Sequence, residues 1–430
     1  MTKTTQLSNG IKLVFEQKKS MHSVAFGLWV RVGSIDDGLN LGIAHFIEHM
    51  IFKGNEKWSA KQIASHVDLL GAQLNAFTEK ESTCYYGRVI DEEFPSLLKL
   101  VSEIVLNPAI RQADVEKERQ VILEEIKMDL DTPDERIHDL LDALMFEPTP
   151  YGKGILGEEK TVSAMESSQL KAHHQTHYQP NQMVLSIVGN GDFETYVNLV
   201  EELFSQIPSE RKQVRSPLTN VASATKAKHY HHHSKETEQL HLVLGLQFQP
   251  LNQLMDRIYL SMINSYLGSS MSSRLFQEFR EERGWVYSIY SYSQLFQHHS
   301  AFNIYAGFQP ERTEEVISLL AEIFQDLREK GIDSDSVHTF QRYLKGTLAI
   351  SDESPTSRMN YLGRATLFNE PLYDSEEILA GVEAIDEAKL NAFLMSLLKQ
   401  DVSVVTLGPI NKERAERIAI SVKKLNEEGK

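Results

Sequence analysis

The sequence predicts an α+β protein with two tandem homologous domains, each a mostly antiparallel β-sheet covered by α-helices. Three observations predict this fold. First, the chain has 430 residues, of which 41% are hydrophobic and 24% charged, which is typical of a globular protein with more than one apolar core. Second, strand-like runs with period-2 patterning alternate with helical patterns. Third, several features recur at one long offset, which indicates an internal duplication.

The duplication has an offset of 218 to 220 residues. Gly-Leu-Trp at 27–29 corresponds to Gly-Leu-Gln at 245–247, each inside a strand-like run. Helix-then-strand stretches that begin at 162–165 and 382–385 show the same relation. The connecting stretch is charged and contains proline, and it lacks periodicity, as linkers do. We therefore expect a first domain, a linker and a second domain, at residues 1–212, 213–228 and 229–430.

The elements of the first domain follow in chain order. Asn9-Gly10 favours a turn between two short strands, and the run at 24–32 reads as a third strand. Residues 42–54 have helical periodicity, with Gly54 as a plausible terminator. An alternating strand follows at 82–89, and a second helical run spans 114–129.

Charge and cysteine content exclude several function classes. Lys and Arg number 44 against 60 Asp and Glu, a net charge of −16, so we expect no nucleic-acid partner. Cys84 is the only cysteine, so no intrachain disulfide can form, and a reducing cytoplasmic location fits best. The N-terminus has no apolar run typical of a signal peptide, and no stretch of about 18 apolar residues predicts a membrane span.

The helix at 42–54 contains the pattern His-x-x-Glu-His. On a helical wheel His45, Glu48 and His49 cluster opposite an apolar stripe, which consists of Ile43, Phe46, Ile47, Met50 and Ile51. Two histidines at i and i+4 lie about 6 Å apart, so both can bind one metal ion. Zinc prefers such ligands and lowers the pKa of water toward 7, and Glu48 is well placed as general base. The pattern also occurs by chance on solvated helix faces.

A third ligand must come from elsewhere in the chain. In the helical run at 114–129, Glu118 and Glu125 are two turns apart, and they fall on one face beside the apolar stripe. Read alone, Glu125 has a second interpretation as a surface charge, because this acidic helix also contains Glu116 and Glu124.

Together these motifs resemble the pitrilysin family of inverted zinc peptidases, in the short branch that includes mitochondrial processing peptidase and its bacterial homologues. The resemblance covers essentially the whole chain and depends on His-Phe-Ile-Glu-His at 45–49 and Glu-Arg-Gln-Val-Ile-Leu-Glu-Glu at 118–125. It implies the processing-peptidase (LuxS-like metallohydrolase) fold and one zinc ion per chain. It also implies that Glu125 is the third zinc ligand and that Glu118 orients a ligand.

Two further matches concern the substrate. Leu-Asn-Ala-Phe-Thr at 74–78 resembles the edge strand on which this family binds an extended peptide through backbone groups; the alternative is an ordinary paired strand. The residues expected to contact the peptide are Asn75, Ala76 and Phe77. In the second domain, residues 280–287 resemble the family's Arg/Tyr pair. The resemblance implies that Arg280 grips a substrate carbonyl or terminus and that Tyr287 donates a hydrogen bond to the oxyanion.

The sequence thus predicts a zinc metalloendopeptidase that hydrolyses extended or unfolded peptides, with Glu48 as general base. The resemblance implies a chamber formed by two subunits, and a homodimer suffices because this chain contains both the zinc motif and the Arg/Tyr pair. The second domain has no His-x-x-Glu-His at the corresponding place. Two alternatives remain: a non-catalytic scaffold subunit on the same fold, and the active subunit of a heterodimeric processing peptidase. Relatives that process imported precursors use a glycine-rich loop in a companion subunit. The corresponding stretch here, 268–273, is short and Ser-rich, which argues against specificity for the presequences of such precursors.

Overall fold

The computed structural model describes residues 2–204 and 229–428, so the predicted linker at 213–228 lies outside the described residues. The chain divides into two compact units. Within the described residues, unit 1 comprises 2–128, 153–204 and 351–372, and unit 2 comprises 129–152, 229–350 and 373–428. Each unit therefore includes one segment from the other half of the sequence.

A six-stranded sheet forms the centre of unit 1. Its strands are β1 (Thr2–Gln6), β2 (Lys12–Gln17), β3 (Ser23–Val30), β4 (Gln73–Thr78), β5 (Thr83–Ile90) and β6 (Met183–Gly189). Their order is β1-β2-β6-β3-β5-β4, and every neighbouring pair is antiparallel except β2 with β6. β4 therefore lies at one edge, with β5 as its only strand neighbour in the described part of the chain.

The sheet of unit 2 has five strands. They are β7 (Tyr230–Ser234), β8 (Leu240–Phe248), β9 (Val286–Leu295), β10 (Ser300–Phe308) and β11 (Val402–Gly408). The order β7-β11-β8-β10-β9 repeats the order β2-β6-β3-β5-β4 of unit 1, and only β7 with β11 is parallel. The predicted fold class, two mostly antiparallel sheets covered by helices, is confirmed.

Most helices in the described part of the chain have three or more turns. In the first half they are α1 (Ile43–Ile51), α2 (Ala60–Leu69), α3 (Phe94–Leu106), α4 (Gln112–Asp131), α5 (Pro133–Phe146), α6 (Glu159–Ala164), α7 (Ser167–His177) and α8 (Phe193–Phe204). In the second half they are α9 (Leu254–Leu267), α10 (Thr313–Lys330), α11 (Ser334–Glu353), α12 (Pro355–Leu367), α13 (Ser375–Glu383), α14 (Glu387–Leu398) and α15 (Lys412–Glu428). No helix within 2–204 or 229–428 combines the length and apolarity that a bilayer crossing requires.

Both faces of the unit 1 sheet are covered, which explains why β3 is a nearly continuous apolar run. On one face, the predicted apolar stripe of α1 packs into a large core with α3 and α4. On the other face, Met359 and Leu362 of α12 pack around Trp29. In unit 2, α5 covers the sheet in the corresponding way, with Leu141 and Met145 against Gly245.

Candidate metal centre

Helix α1 presents the polar side chains of the His-x-x-Glu-His motif because its apolar stripe is fully buried. The helix begins after Gly42, whose φ of 92° is in the left-handed region, and a Cβ there would lie 2.6 Å from the Leu156 carbonyl oxygen. Only glycine fits this close approach. The buried carboxylate of Asp37 accepts hydrogen bonds from the backbone N–H groups of Gly42 (2.6 Å) and Ala44 (3.1 Å). Burial raises the pKa of Asp37 to about 8, although both hydrogen bonds oppose that shift.

The two histidines and Glu125 converge at one point. The Nε2 atoms of His45 and His49 lie 3.2 Å apart, and Glu125 Oε2 lies 3.9 Å from the first and 3.6 Å from the second. In a tetrahedral zinc site with bonds of about 2.0–2.1 Å, ligand atoms stand about 3.4 Å apart. Burial, and then the neighbouring His49, lower the pKa of His45 to about 3, so its imidazole is neutral, the form that binds metal. This donor set fits a zinc ion.

A hydrogen bond connects Glu118 to His49. Glu118 Oε1 lies 2.9 Å from His49 Nδ1, and because Glu118 is a carboxylate, the imidazole donates this hydrogen bond. The Nε2 lone pair of His49 then points toward His45 and Glu125. Lys53 pairs with the other oxygen, Oε2, of Glu118. Burial alone would raise the pKa of Glu118, but the bonds from His49 and Lys53 lower it overall.

Glu48 lies between the two histidines in the sequence of α1, and its side chain is partly buried. Burial raises the pKa of Glu48, which a hydrogen bond from Thr78 and the nearby His49 partly oppose. Thr78, the last residue of β4, donates this bond from Oγ1 to Glu48 Oε2 over 2.5 Å. The sequence predicts no role for Lys53 or Asp37, and it indicates Thr78 only as the last residue of the edge-strand motif, not as a partner of Glu48. Lys53 had one usable signal, since it lies four residues after His49, whereas the Thr78 contact depends on packing between α1 and β4.

The strand residues Asn75, Ala76 and Phe77 lie on β4, at the sheet edge. Asn75 is exposed, while the ring of Phe77 packs on Trp29 (5.6 Å) and Tyr86 (5.7 Å). A cavity of about 410 Å³ runs beside Gln73, Leu74 and Asn75. The outer side of β4 therefore lies next to open space, where another strand could add, and the Ala76 N–H there donates a hydrogen bond to Asn75 Oδ1 over 2.9 Å.

Arg280 and Tyr287 belong to unit 2. Arg280 lies in a short π-helical segment, Phe276–Glu281, and Tyr287 is near the start of β9. The guanidinium of Arg280 stands 5.0 Å from the ring centre of Phe276 and 6.0 Å from that of Tyr287. The two members of the pair are therefore near each other. Tyr287 is also accessible, because it is 74% exposed.

Comparison with protein families and sequences gives consistent matches. Residues 12–159 match the model of the insulinase family, peptidase family M16, and residues 164–344 match the model described as the peptidase M16 inactive domain. An uncharacterized zinc protease of Mycobacterium tuberculosis is 36% identical over 413 residues, which cover 96% of this chain and 94% of that protein. One of Bacillus subtilis is 33% identical over 413 residues, covering 95% and 98%.

Solved structures share the fold. A protease from Helicobacter pylori superimposes with a TM-score of 0.88 at 19% identity, covering 95% of this chain and 99% of that chain. A peptidase M16 inactive domain from Pseudomonas fluorescens gives a TM-score of 0.87 at 21% identity, covering 96% and 98%.

Proposed function

The chain belongs to the M16 (insulinase or pitrilysin) family of zinc proteases, and from this premise we propose that it is an endopeptidase that hydrolyses extended or unfolded peptides. One observation supports this proposal most: Glu125, which lies 76 residues after His49, has its carboxylate within 4 Å of both motif histidines. The alternative interpretation, a solvated helix face, does not explain why a carboxylate from a second helix lies beside both histidines. The zinc proteases among its relatives favour an enzyme over the scaffold interpretation.

We propose His45, His49 and Glu125 as the ligands of one zinc ion per chain, with Glu118 orienting His49. When bound, zinc supplies a Lewis acid that polarises a carbonyl group and lowers the pKa of water toward 7. The protein contributes a neutral His45, a correctly oriented His49 and a carboxylate that adds negative charge.

Glu48 is the proposed general base. It accepts a proton from the attacking water, whose oxygen adds to the peptide carbonyl carbon. It then delivers that proton to the nitrogen of the leaving amine as the C–N bond breaks. The burial that raises the pKa of Glu48 helps its carboxyl group to hold the proton between these two events. The second proton of the water stays on the new carboxyl group, so the products are a carboxylic acid, which ionises at neutral pH, and an amine, and no other reactant is needed.

The edge strand β4 is the proposed peptide-binding element, through Asn75, Ala76 and Phe77. Backbone hydrogen bonds to a strand edge give affinity with little sequence preference. We further propose that Arg280 grips a substrate carbonyl or terminus and that Tyr287 donates a hydrogen bond to the oxyanion. A homodimer that encloses the substrate is the proposed assembly. The solution mass and activity of the purified protein, without any other chain, test this assembly against a heterodimer.

The test of the base is Glu48→Gln, which keeps the shape of the side chain and removes its ability to accept the proton. We expect kcat for an unstructured fluorogenic peptide to fall by about 10²–10⁴-fold while zinc content stays at the wild-type level. The matched control is Glu124→Gln, because Glu124 is an exposed carboxylate of α4 that pairs with Lys127. Near wild-type turnover by Glu48→Gln with zinc still bound would refute the assigned base.

A further inference from the structure

We propose that Thr78 is a positioning residue that holds the carboxylate of Glu48 and ties it to the strand on which the peptide lies. This inference depends on the proposed function, since it assigns Thr78 a task in that same reaction. Its basis is the partly buried hydrogen bond from Thr78 Oγ1 to Glu48 Oε2, 2.5 Å long. Within 2–204 and 229–428, no second side-chain hydrogen bond to Glu48 is found.

The position of the Thr78 hydroxyl is set by the hairpin that connects β4 and β5. Thr78 stands opposite Thr83 in the antiparallel register, and the Glu79 N–H donates to the Ser82 carbonyl oxygen over 2.8 Å. Thr83 is fully buried and donates to the Val32 carbonyl oxygen over 2.8 Å. Because threonine is β-branched, its χ1 is also restricted. The hydroxyl group is therefore presented from a rigid base.

A neighbouring backbone segment holds the tip of this hairpin. The N–H groups of Ser34 and Ile35 donate to the carbonyl oxygens of Glu79 (3.1 Å) and Lys80 (3.0 Å). The approach is so close that a Cβ on Gly33 would lie 2.4 Å from both of these carbonyl oxygens. The longer, more flexible Glu48 side chain must therefore adapt to Thr78, and not the reverse.

The hydrogen bond leaves one carboxylate oxygen of Glu48 for proton transfer. Thr78 binds Oε2, which restricts rotation of the carboxylate, and Oε1 remains as the proposed proton acceptor. A general base must stand within about 2.6–3.2 Å of the proton donor, so an unrestrained carboxylate would spend less time in the reactive orientation. The hydroxyl thus affects the chemical step.

The same strand also holds the residues proposed to bind the peptide. At about 3.3 Å per residue, Thr78 is within about 10 Å of Asn75 along β4. A peptide paired with this edge is then aligned with the residue that holds the base. Since strand addition uses backbone groups, loss of the Thr78 hydroxyl should leave peptide binding nearly unchanged.

The test compares Thr78→Val, which keeps the branched shape without the hydroxyl, with Thr78→Ser, which keeps the hydroxyl. With the best-cleaved member of an unbiased fluorogenic peptide library, we expect Thr78→Val to lower kcat by about 10–100-fold and to change KM by less than about threefold. Thr78→Ser should recover kcat to within about threefold of wild type, and zinc content should be equal in all variants. The matched control is Ser82→Ala, which removes a hydroxyl of the same hairpin that bonds to Glu79 instead of Glu48.

Four results would overturn the inference: unchanged kcat in Thr78→Val, a loss expressed in KM with kcat preserved, no recovery in Thr78→Ser, or wild-type kcat in Thr78→Ala. Thr78→Ala, which removes the hydroxyl with less bulk, must show the same loss of kcat as Thr78→Val. Failure of the proposed function looks different, because then the wild-type protein is inactive or Glu48→Gln remains active.

Discussion

At the scale of single residues, the site consists of side chains that constrain one another. His49 contacts Glu118 through one ring nitrogen and faces His45 and Glu125 with the other. Burial alone would lower the pKa of His49, but the hydrogen bond to Glu118 and the nearby carboxylates raise it overall. We propose that Glu118, by accepting the Nδ1 proton, leaves Nε2 as the ring nitrogen of His49 that binds the metal.

We therefore predict that Glu118→Gln weakens zinc binding without removing a ligand. The amide no longer offers a charged acceptor to the imidazole, and the loss of such a partner reduces metal affinity by about 10–100-fold. Competition with a chromogenic chelator measures the zinc Kd directly. Glu116→Gln is the control, because Glu116 is an exposed residue of the same helix that accepts a bond from Gln112. An unchanged Kd in Glu118→Gln would contradict the role assigned to this carboxylate.

The residues of the site differ in how far the sequence predicts them. The i, i+4 spacing of His45 and His49 is a property of one helix, so periodicity alone suggests a metal pair. Glu125 lies on another helix, and only the family resemblance singled it out from its acidic neighbours. Thr78 contacts Glu48 across two elements, and no local pattern reports such a contact.

At the scale of elements, helix α12 covers one face of the unit 1 sheet. It packs on β3 and β6, where Trp29 donates a hydrogen bond from Nε1 to Ser186 Oγ over 3.0 Å. Gly363 allows this approach, because a Cβ there would lie 2.0 Å from Trp29 Nε1. The strands and helices themselves follow from periodicity, but periodicity does not tell which sheet a given helix covers.

Gly363→Ala should consequently destabilise the protein. The added methyl group cannot fit without moving Trp29, and overpacking of this kind costs about 1–3 kcal/mol of the free energy of unfolding. Gly346→Ala is the matched control, since Gly346 is an exposed residue of α11 and a Cβ added there would meet no atom within 4 Å. There the change should be neutral or stabilising by up to about 1 kcal/mol. Denaturant unfolding of both variants measures the difference, and equal stability of the two would argue against tight packing at Gly363.

At the scale of the whole molecule, the compact units differ from the two halves of the sequence. Unit 1 includes residues 351–372, and unit 2 includes residues 129–152. A duplication in the sequence suggests two contiguous domains. The offset between the repeats does not indicate that residues 129–152 belong to unit 2 and residues 351–372 to unit 1. The repeated strand order agrees with the duplication, while the domain limits at 212 and 229 stay a prediction.

A fragment of residues 1–212 should therefore fold poorly. Without α12, the face of the sheet formed by Val14, Ala25 and Trp29 would lose its cover, and such an exposed apolar surface promotes aggregation. Replacing residues 129–152, whose helix α5 packs in unit 2, by a flexible linker and fusing residues 351–372 to the fragment should restore a cooperative thermal transition. Circular dichroism and light scattering compare the two forms. Cooperative unfolding of the unfused fragment, with no aggregation, would show that α12 is dispensable.

The most direct test of the account is a crystal structure with anomalous diffraction data collected on both sides of the zinc absorption edge. We predict one strong difference peak per chain, within about 2.0–2.2 Å of His45 Nε2, His49 Nε2 and Glu125 Oε2. The absence of a peak at these three atoms in protein that contains zinc, or a peak bound elsewhere in the chain, would contradict it.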